Sequence, residues 1–528
     1  MRWIIICWLF GRATTGTPQV SLTETALPIL RITTTRTIPQ EPKITATLTV
    51  IDNGPGAVNR PEDPPTGYQG YIGIERRGQS SAHWAKGSYA VETRRVDGSN
   101  NDVSLLGLPE ENDWVLHGPF QDRSLLRNVF VYGLGRDLLA WSPRTRYVEL
   151  FINDSYRGVY VLVESIKRDR HRVDIERLRA ADNAGTALTG GYLLKIDKGI
   201  DSTGFNHFKS AYRPGGTHPE ATIDVLYVDP EPDELTAAQR RYIQAYFRAF
   251  EEALAGPAFA EPDRGYAAFI DVGSFVDYLI LSELTGNLDA YRVSTYFHKE
   301  RGQKLVMGPL WDYNFSLGST FFCDAHETDR WRYAFNERCP GDRWLVPFWW
   351  ERLLEDPAFV DRVHHRYTAW RKGPLHLDSL YARLDAQLLQ LGAATDRDYA
   401  RWPGVRAHTP YHTTTYGDEV AALRTYLADR LAFLDGAWLL PPGGSPPRWT
   451  VSSGPVGEAP QITYHLAAAT AVRITLYDLT GQLVHRAQYR LSAGRGTLAL
   501  APLLPPGNYV LQWHVADQAP EAQLLVRY

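Results

Sequence analysis

Two short acidic segments, separated by a pair of strand-like segments, constrain the fold of this 528-residue chain more than any other feature. The first is Gly-Asn-Leu-Asp at residues 286–289, and the second is Gly-Pro-Leu-Trp-Asp-Tyr-Asn at residues 308–314. The residues between them are mostly β-branched, aromatic or apolar on both sides of an Arg-Gly turn at residues 301–302, which predicts a β-hairpin. Such a hairpin would bring Asp289, before its first strand, and Asp312, after its second strand, to the same end.

Two carboxylates at one end of a hairpin are suited to bind Mg²⁺ or Mn²⁺ and to accept a proton beside the metal. Hard divalent cations prefer oxygen ligands and usually combine one or two carboxylates with phosphate and water. Asn314 offers a further oxygen ligand. The structural alternative is that Asp289 caps a turn and Asp312 forms an ion pair with an arginine. An apolar helix predicted over residues 275–284 leads directly into Asp289 and favours the functional interpretation.

The order of helix, acidic loop, hairpin and second acidic residue is that of the catalytic half of a protein kinase. In kinases the first aspartate accepts the proton of the substrate hydroxyl, and the second holds metal on the phosphates. The usual kinase sequences His-Arg-Asp, Asp-Phe-Gly and Val-Ala-Ile-Lys are absent. The chain instead resembles the CotH family of atypical kinase-like proteins, in residues 286–296 and 308–314 and in further segments spread over residues 27–437.

This resemblance implies an α+β fold with a two-lobed body like that of an atypical protein kinase. The β-rich N-terminal lobe would cover residues 27–235, and the helical C-terminal lobe would cover residues 236–440. The implied activity is transfer of the γ-phosphate of ATP to Ser or Thr hydroxyls of a protein substrate. Asp289 would be the catalytic base, and Asp312 and Asn314 would hold Mg²⁺ or Mn²⁺.

A turn at residues 78–81, Gly-Gln-Ser-Ser, lies between two predicted strands and is suited to covering phosphates. Backbone N–H groups and the hydroxyls of Ser80 and Ser81 can face an anion. Most turns of this kind are only hairpin loops. The resemblance to the CotH family assigns the phosphate contact to Lys86, with Arg77 as the alternative.

A kinase also needs a helix glutamate that pairs with the phosphate-binding lysine. The amphipathic helix predicted from Asp122 to about Leu139 contains no glutamate. Glu164, at the end of a predicted hairpin, would orient the lysine or contact the ribose of the nucleotide; alternatively, it is an edge-strand carboxylate paired with Lys167 or Arg168. The missing glutamate favours a second class of function, a catalytically inactive kinase-like scaffold that serves as a surface or adhesion protein.

The first residues combine a charge, a short apolar run and small side chains, which is typical of a secretory signal. The run is too short to span a bilayer, and a buried first strand is the alternative. Residues 1–26 are therefore predicted to be a signal peptide and linker. Of the three cysteines, Cys7 belongs to this signal, which leaves Cys323 and Cys339 as an even pair. In an oxidising compartment we expect a disulfide between them, with two free buried thiols as the alternative.

A proline- and glycine-rich linker at residues 441–448 precedes a region without helical periodicity. Short alternating segments over residues 449–528 predict a small β-sandwich. Leu-Tyr-Asp-Leu-Thr-Gly at residues 476–481 and Pro-Gly-Asn-Tyr at residues 506–509 resemble a type A sorting domain of the type IX secretion system. A carbohydrate-binding sandwich is the alternative. The resemblance implies export through the periplasm to the medium or the cell surface, with the type IX machinery as a partner.

The charge pattern bears on the remaining partner classes. The formal net charge is −4, with acidic and basic residues interspersed. There is no basic stripe of the kind that binds nucleic acid, so we expect no nucleic-acid partner. No later segment is apolar over a length that would predict a membrane span.

Overall fold

The structure is a computed structural model, and it describes most of the chain apart from the N-terminus and several short segments. The described residues are 20–78, 81–403, 414–439, 448–452, 460–466, 469–478, 482–492, 494–500, 504–505, 507–515 and 521–527. The chain divides into two compact units, Met1–Trp438 and Leu439–Tyr528. The core of the predicted secretory signal and most of the predicted linker at residues 441–448 lie outside the described residues.

The first unit mixes strands and helices, which confirms the predicted α+β class. Its strands are β1 Ile29–Thr33, β2 Ile44–Ile51, β3 Gln69–Arg77, β4 Ser88–Arg94, β5 Asp113–His117, β6 Thr145–Ile152, β7 Ser155–Glu164, β8 Tyr192–Ile196, β9 His207–Lys209, β10 Asp224–Asp229, β11 Thr295–Lys299 and β12 Leu305–Met307. Its α-helices are α1 Arg127–Leu138, α2 Gly185–Leu188, α3 Ala237–Ala255, α4 Val272–Thr285, α5 Phe335–Arg338, α6 Trp349–Leu354, α7 Pro357–Arg371, α8 Leu377–Leu391, α9 Ala394–Arg401 and α10 Tyr416–Trp438. Within the described part of the chain, no helix is both long enough and apolar enough to cross a membrane.

Strands β1 to β7 form a closed barrel in the order β1-β2-β3-β4-β5-β7-β6, and β1 closes it by pairing in parallel with β6. Alternate residues of β2, from Ile44 to Val50, are buried, as expected for a strand with one face on a core. The predicted β6–β7 hairpin is confirmed. Its turn residues Asn153 and Asp154 both have positive φ, which this type of tight hairpin turn requires and which Asn and Asp tolerate.

A second sheet, in the order β12-β11-β8-β10-β9, combines strands from both halves of the predicted kinase-like body. Strands β8, β9 and β10 precede residue 236, whereas β11 and β12 follow it. The β11–β12 pair is the hairpin predicted between the two acidic segments, with Phe297 opposite Met307. Residues 27–235 and 236–440 are therefore joined by shared strand pairing, and all but the last two lie within one compact unit.

Local capping explains where the helices of this unit begin and end. Helix α3 begins at Thr236, whose side chain forms the predicted capping box with Gln239. Helix α4 begins at Asp271, whose carboxylate accepts a hydrogen bond from the Ser274 amide at 2.7 Å. It ends at Gly286, which has a φ of 57°. A Cβ at Gly286 would lie 1.8 Å from the Tyr426 hydroxyl oxygen, so only glycine fits where the chain leaves α4 for Asp289.

The segment after Asp312 is closed by the predicted disulfide. Cys323 and Cys339 are bonded, with their Cα atoms 5.9 Å apart. The enclosed segment includes α5, and Asn336 of this helix exchanges two hydrogen bonds of 2.8 Å with the backbone of Val346. These hydrogen bonds tie the segment to the chain that precedes α6.

The second unit consists of strands in its described residues. They are β13 Arg448–Ser452, β14 Gln461–Leu466, β15 Thr470–Asp478, β16 Leu483–Leu491, β17 Gly494–Ala499, β18 Gly507–Val515 and β19 Glu521–Arg527. They form two sheets, β13-β14-β17 and β16-β15-β18-β19. One apolar cluster contains residues of both sheets, among them Ile462, Ile474 and Leu511. The short strands predicted for this region are present.

Candidate active site

A cleft of about 1680 Å³ collects polar side chains from the barrel, from α1, from the second sheet and from both acidic segments. Its volume exceeds the range that is usual for a single small ligand. The charged and polar residues of the lining that matter below are Arg77, Ser88, His117, Asn128, Tyr132, Asp197, Asp289, Arg292, Asp312 and Asn314. The two aspartates predicted to lie together at one end of the hairpin therefore do share a cleft.

Asp289 lies in the loop that leaves α4, and its carboxylate is held by a neighbouring arginine. Arg292 Nη2 lies 3.2 Å from Asp289 Oδ1, and the side chain of Asp289 is 13% exposed. The guanidinium of Arg292 also donates to the carbonyl oxygens of Leu288 and Trp344, at 2.9 and 2.8 Å. Burial raises the pKa of Asp289, while the charge of Arg292 opposes this effect. The result is an oriented carboxylate whose basicity is greater than that of a free aspartate.

Asp312 follows the second strand of the hairpin, β12, in a left-handed conformation with a φ of 59°. Its amide donates to the Tyr132 hydroxyl at 3.0 Å, and the next amide, of Tyr313, donates to Asn128 Oδ1 at 2.8 Å. Burial raises the pKa of Asp312 to about 7, and the negative charge of Asp289 is the next largest cause. A carboxyl group whose ionisation is opposed by a second carboxylate in the same cleft favours a cation beside it.

The donor set fits a hard divalent cation. Asn314 is 6% exposed and lines the cleft, and its Oδ1 has no hydrogen-bond partner. A buried amide oxygen without a partner is suited to metal coordination, since it carries a desolvation cost otherwise. Within the described ranges, no three His, Cys, Asp or Glu residues are grouped closely enough to hold a metal on their own. A cation here would therefore be held by one or two carboxylates and an amide oxygen, together with phosphate and water, as Mg²⁺ commonly is.

Arg77, at the end of β3, supplies positive charge to the same part of the cleft. Its guanidinium carbon lies 5.3 Å from the centre of the Trp311 ring, next in sequence to Asp312. The positive charge of Arg77 lowers the pKa of Asp312, against the effect of burial and of the other carboxylates. Arg77 is thus a cation beside the acidic pair, which is the position that a phosphate-binding residue needs.

Lys86 is placed differently from the prediction. Its Nζ lies 2.5 Å from Asp398 Oδ1, and both side chains are only 1% exposed. The same oxygen accepts a hydrogen bond from the Val159 amide at 2.9 Å. Lys86 is not among the residues that line the cleft. This buried ion pair with α9 argues against a phosphate contact from Lys86 and favours the alternative, Arg77.

Glu164 has a structural partner that the sequence did not indicate. Its two carboxylate oxygens accept hydrogen bonds from the Arg144 guanidinium, at 2.9 Å, and from the Arg144 amide, at 2.8 Å. It is paired with neither Lys167 nor Arg168, and its strand β7 lies between β5 and β6 in the closed barrel, not at an edge. The predicted contact with Lys86 is absent as well, since Lys86 is paired with Asp398.

The predicted phosphate-covering turn is only partly described. Ser80 lies outside the described residues, and so does the side chain of Ser81. The backbone of Ser81 begins a short 3₁₀ helix, Ser81–His83. A phosphate contact from either serine therefore stays a prediction.

Several cleft residues have no counterpart in the sequence-based prediction of the site. His117 comes from β5 and Asn128 and Tyr132 come from α1, and the two α1 residues hold the loop that carries Asp312. The contact between Asn128 and Tyr313 joins residues 185 positions apart. No local pattern marks such a pair, because an asparagine near a helix start is usually read as a cap.

Comparison with known protein families supports one assignment. The family model described as CotH kinase protein matches residues 74–434, which is well over half of the chain. None of the curated proteins compared with the chain matches it. The matched range contains Arg77, Asp289, Asp312 and Asn314, and it ends within α10. The chain therefore belongs to the CotH kinase family.

Proposed function

We propose that this protein transfers the γ-phosphoryl group of ATP to a Ser or Thr hydroxyl of a protein substrate, with Mg²⁺ or Mn²⁺. The observation that carries the proposal is the pairing of Asp289 and Asp312 in one cleft, where the charge of Asp289 helps to raise the pKa of Asp312. Membership of the CotH kinase family supports the same activity. A body with two kinase-like lobes, one based on the barrel and one on the helices, is part of the proposal.

The residues divide the work as follows. Asp289 accepts the proton of the substrate hydroxyl as the new O–P bond forms, and the bond from the γ-phosphorus to the bridging oxygen breaks, so that ADP leaves with the electron pair. Arg292 keeps the Asp289 carboxylate in place. Arg77 neutralises phosphate charge. Asp312 and Asn314 would hold the divalent cation, which when bound supplies stabilisation of the charge on the phosphates.

A thermal-shift titration tests whether this cleft binds the nucleotide. Because a ligand that binds only the folded chain stabilises it by mass action, ATP with Mn²⁺ should raise the melting temperature of the unmodified protein. Asp312→Ala should abolish the shift. Asp289→Ala should keep the shift but lose phosphate transfer. Mass spectrometry of autophosphorylated sites measures this transfer. Asp378→Ala, at an aspartate whose side chain is 89% exposed on α8, is the matched control and should behave like the unmodified protein.

One observation favours a second candidate function, an inactive kinase-like scaffold at the cell surface. Lys86 is bound to Asp398 of α9, and no described acid of α1 is paired with it. The lysine–carboxylate pair of an active kinase is thus not formed from the equivalent helix. If millimolar ATP with Mn²⁺ leaves the melting temperature unchanged, the result contradicts the kinase function and favours the inactive scaffold.

We further propose that the protein is exported and that residues 449–528 form a β-sandwich that acts as a type IX sorting domain. Two observations support this. The disulfide between Cys323 and Cys339 suits an oxidising compartment. The second unit has its own apolar core, as a separate C-terminal module requires. Mass spectrometry of the mature protein from a type IX-secreting host tests the proposal, since retention of the whole chain inside the cell would contradict it.

A further inference from the structure

The loop that carries Asp312 is held in a conformation that it would not keep by itself. A φ of 59° is uncommon for a residue with a Cβ, although Asp adopts it more readily than most. Such a residue persists only where its surroundings determine the backbone. Here two successive amides, of Asp312 and Tyr313, donate to Tyr132 and Asn128 of α1. The two predicted metal ligands, Asp312 and Asn314, are therefore the residues directly before and after the anchored Tyr313.

Asn128 is itself oriented by a residue of the barrel. Its Nδ2 lies 3.2 Å from His117 Nε2, and its Oδ1 is occupied by the Tyr313 amide. Because the amide group of Asn128 must then donate towards the ring, His117 must present a lone pair at Nε2 and carry its proton at Nδ1. That proton faces Ser88 Oγ, 3.5 Å away, which in turn accepts from the Gly118 amide at 3.0 Å.

The surroundings of His117 are consistent with this single orientation of the chain of hydrogen bonds. Burial lowers the pKa of His117 to about 4, so the imidazole is neutral at ordinary pH. The charges of Asp122, Lys86 and Arg77 also act on this pKa, and only that of the carboxylate favours the protonated ring. A neutral ring can accept from Asn128, whereas a protonated one would turn an N–H towards another N–H.

We propose that His117 and Asn128 are positioning residues, which connect Ser88 of β4 to the Asp312–Asn314 loop and keep that loop in its metal-binding arrangement. The metal-binding part rests on the function proposed above. The positioning part rests only on the hydrogen bonds of the free protein. Replacing a residue that hydrogen-bonds to a metal ligand and orients it typically lowers metal affinity by about 10-fold to 100-fold.

Hydrogen exchange of the free protein tests the positioning part. In His117→Leu the acceptor for Asn128 is lost, and we expect the Asp312 and Tyr313 amides to exchange at least about tenfold faster. In His117→Gln the side-chain oxygen can accept from Asn128 in place of Nε2, so protection should return. Unchanged protection of both amides in His117→Leu and in Asn128→Ala overturns the proposal.

Titration of Mn²⁺ at a fixed ATP concentration, read as thermal shift, tests the metal-binding part. His117→Leu and Asn128→Ala should need about 10-fold to 100-fold more Mn²⁺ for half of the full shift, and His117→Gln should need little more than the unmodified protein. Asn59→Ala is the matched control, because Asn59 is fully buried and also bonds backbone groups, of Leu27 and Asn53. It should lower the melting temperature without changing the Mn²⁺ requirement.

The two experiments separate the failure of this proposal from the failure of the proposed kinase function. An Mn²⁺ requirement that is the same in His117→Leu, Asn59→Ala and the unmodified protein overturns the metal-positioning role. Faster exchange in His117→Leu, in a protein whose unmodified form shows no shift with ATP and Mn²⁺, overturns the kinase function and supports the positioning of the loop.

Discussion

Asp312 carries a carboxyl group in surroundings that oppose its ionisation. Burial raises its pKa from 3.8 to about 7, and the charges of Asp289 and Asp197 act in the same direction. A group whose pKa is higher in the folded chain than in the unfolded chain stabilises the fold in its protonated form. Its favourable contribution is complete below the unfolded pKa and is lost as the pH rises through the folded pKa. In the free protein, ionisation of Asp312 above neutral pH therefore lowers the free energy of unfolding.

The variant Asp312→Asn should be more stable than the unmodified protein, since the amide cannot ionise. With allowance for the partial exposure of the side chain, we expect a gain of about 1–3 kcal/mol at about pH 8. The gain should shrink towards about pH 5 and below, where the carboxyl of the unmodified protein is protonated in the folded chain. Urea unfolding at both pH values measures it, and a gain that does not depend on pH would contradict the assigned pKa shift.

Lys86 and Asp398 form the second residue-scale feature with a measurable consequence. Removing one member of a buried ion pair leaves the other charge without compensation, at a cost of about 3–5 kcal/mol. We expect this loss for Lys86→Met. The double variant Lys86→Met/Asp398→Asn should recover part of it, because no isolated charge remains buried.

Nucleotide binding by the same double variant distinguishes Lys86 from Arg77. If Lys86 has only the structural role, the double variant keeps its thermal shift with ATP and Mn²⁺, whereas Arg77→Ala should weaken ATP binding at least about tenfold, as loss of a charge-assisted phosphate contact does. A double variant that is folded and stable but does not bind ATP would contradict this and assign the phosphate contact to Lys86.

At the scale of elements, one buried carboxylate joins four parts of the first unit. Glu283, near the end of α4, accepts hydrogen bonds from the Arg332 and Tyr333 amides, at 2.8 and 2.9 Å for the shortest contacts. It also accepts from the Tyr291 hydroxyl at 3.0 Å and pairs with Arg430 of α10 at 2.8 Å, with both charged side chains fully buried. Helix α4, the loop after Asp289, the disulfide-closed segment and α10 therefore meet at this point.

The variant Glu283→Gln should destabilise the first unit by about 3–5 kcal/mol, since it leaves the Arg430 charge buried and turns an amide N–H towards backbone donors. Phosphate transfer should fall with it, because the loop that carries Asp289 loses its anchor. Denaturant unfolding gives the free energy. Glu251→Gln is the control: Glu251 is equally buried, but it bonds Ser210 and Trp349 without a charged partner, so its loss should cost clearly less.

At the scale of the whole molecule, the two compact units have separate apolar cores. Every residue of the cleft belongs to Met1–Trp438. We therefore expect a chain that ends at Trp438 to keep the thermal shift with ATP and Mn²⁺ and the melting temperature of the first unit, within about 2 °C. Calorimetry should show the loss of one transition, that of the second unit. Failure of the shortened chain to fold would show that the units depend on each other.

Sequence patterns were sufficient where the interaction is local. The β11–β12 hairpin, helix α4 before Asp289 and the capping box at Thr236 all follow from periodicity, turn residues and caps within a few positions of each other. The disulfide followed from the number of cysteines. The ion pair of Lys86 could not be predicted, because its partner Asp398 is 312 positions away and nothing in the sequence near Lys86 marks a buried pair.

By itself, then, the sequence determined local elements such as the β11–β12 hairpin, which brings the segments that carry Asp289 and Asp312 to one end. Only the tertiary structure decided which basic side chain lies beside Asp289 and Asp312. It also decided which side chains position the Asp312 loop. Arg77, at the end of β3, reaches the cleft, whereas Lys86 is buried in an ion pair with Asp398 of α9. His117 and Asn128 meet the Asp312 loop because β5 and α1 pack against it, and long-range packing of this kind leaves no periodic trace in the chain.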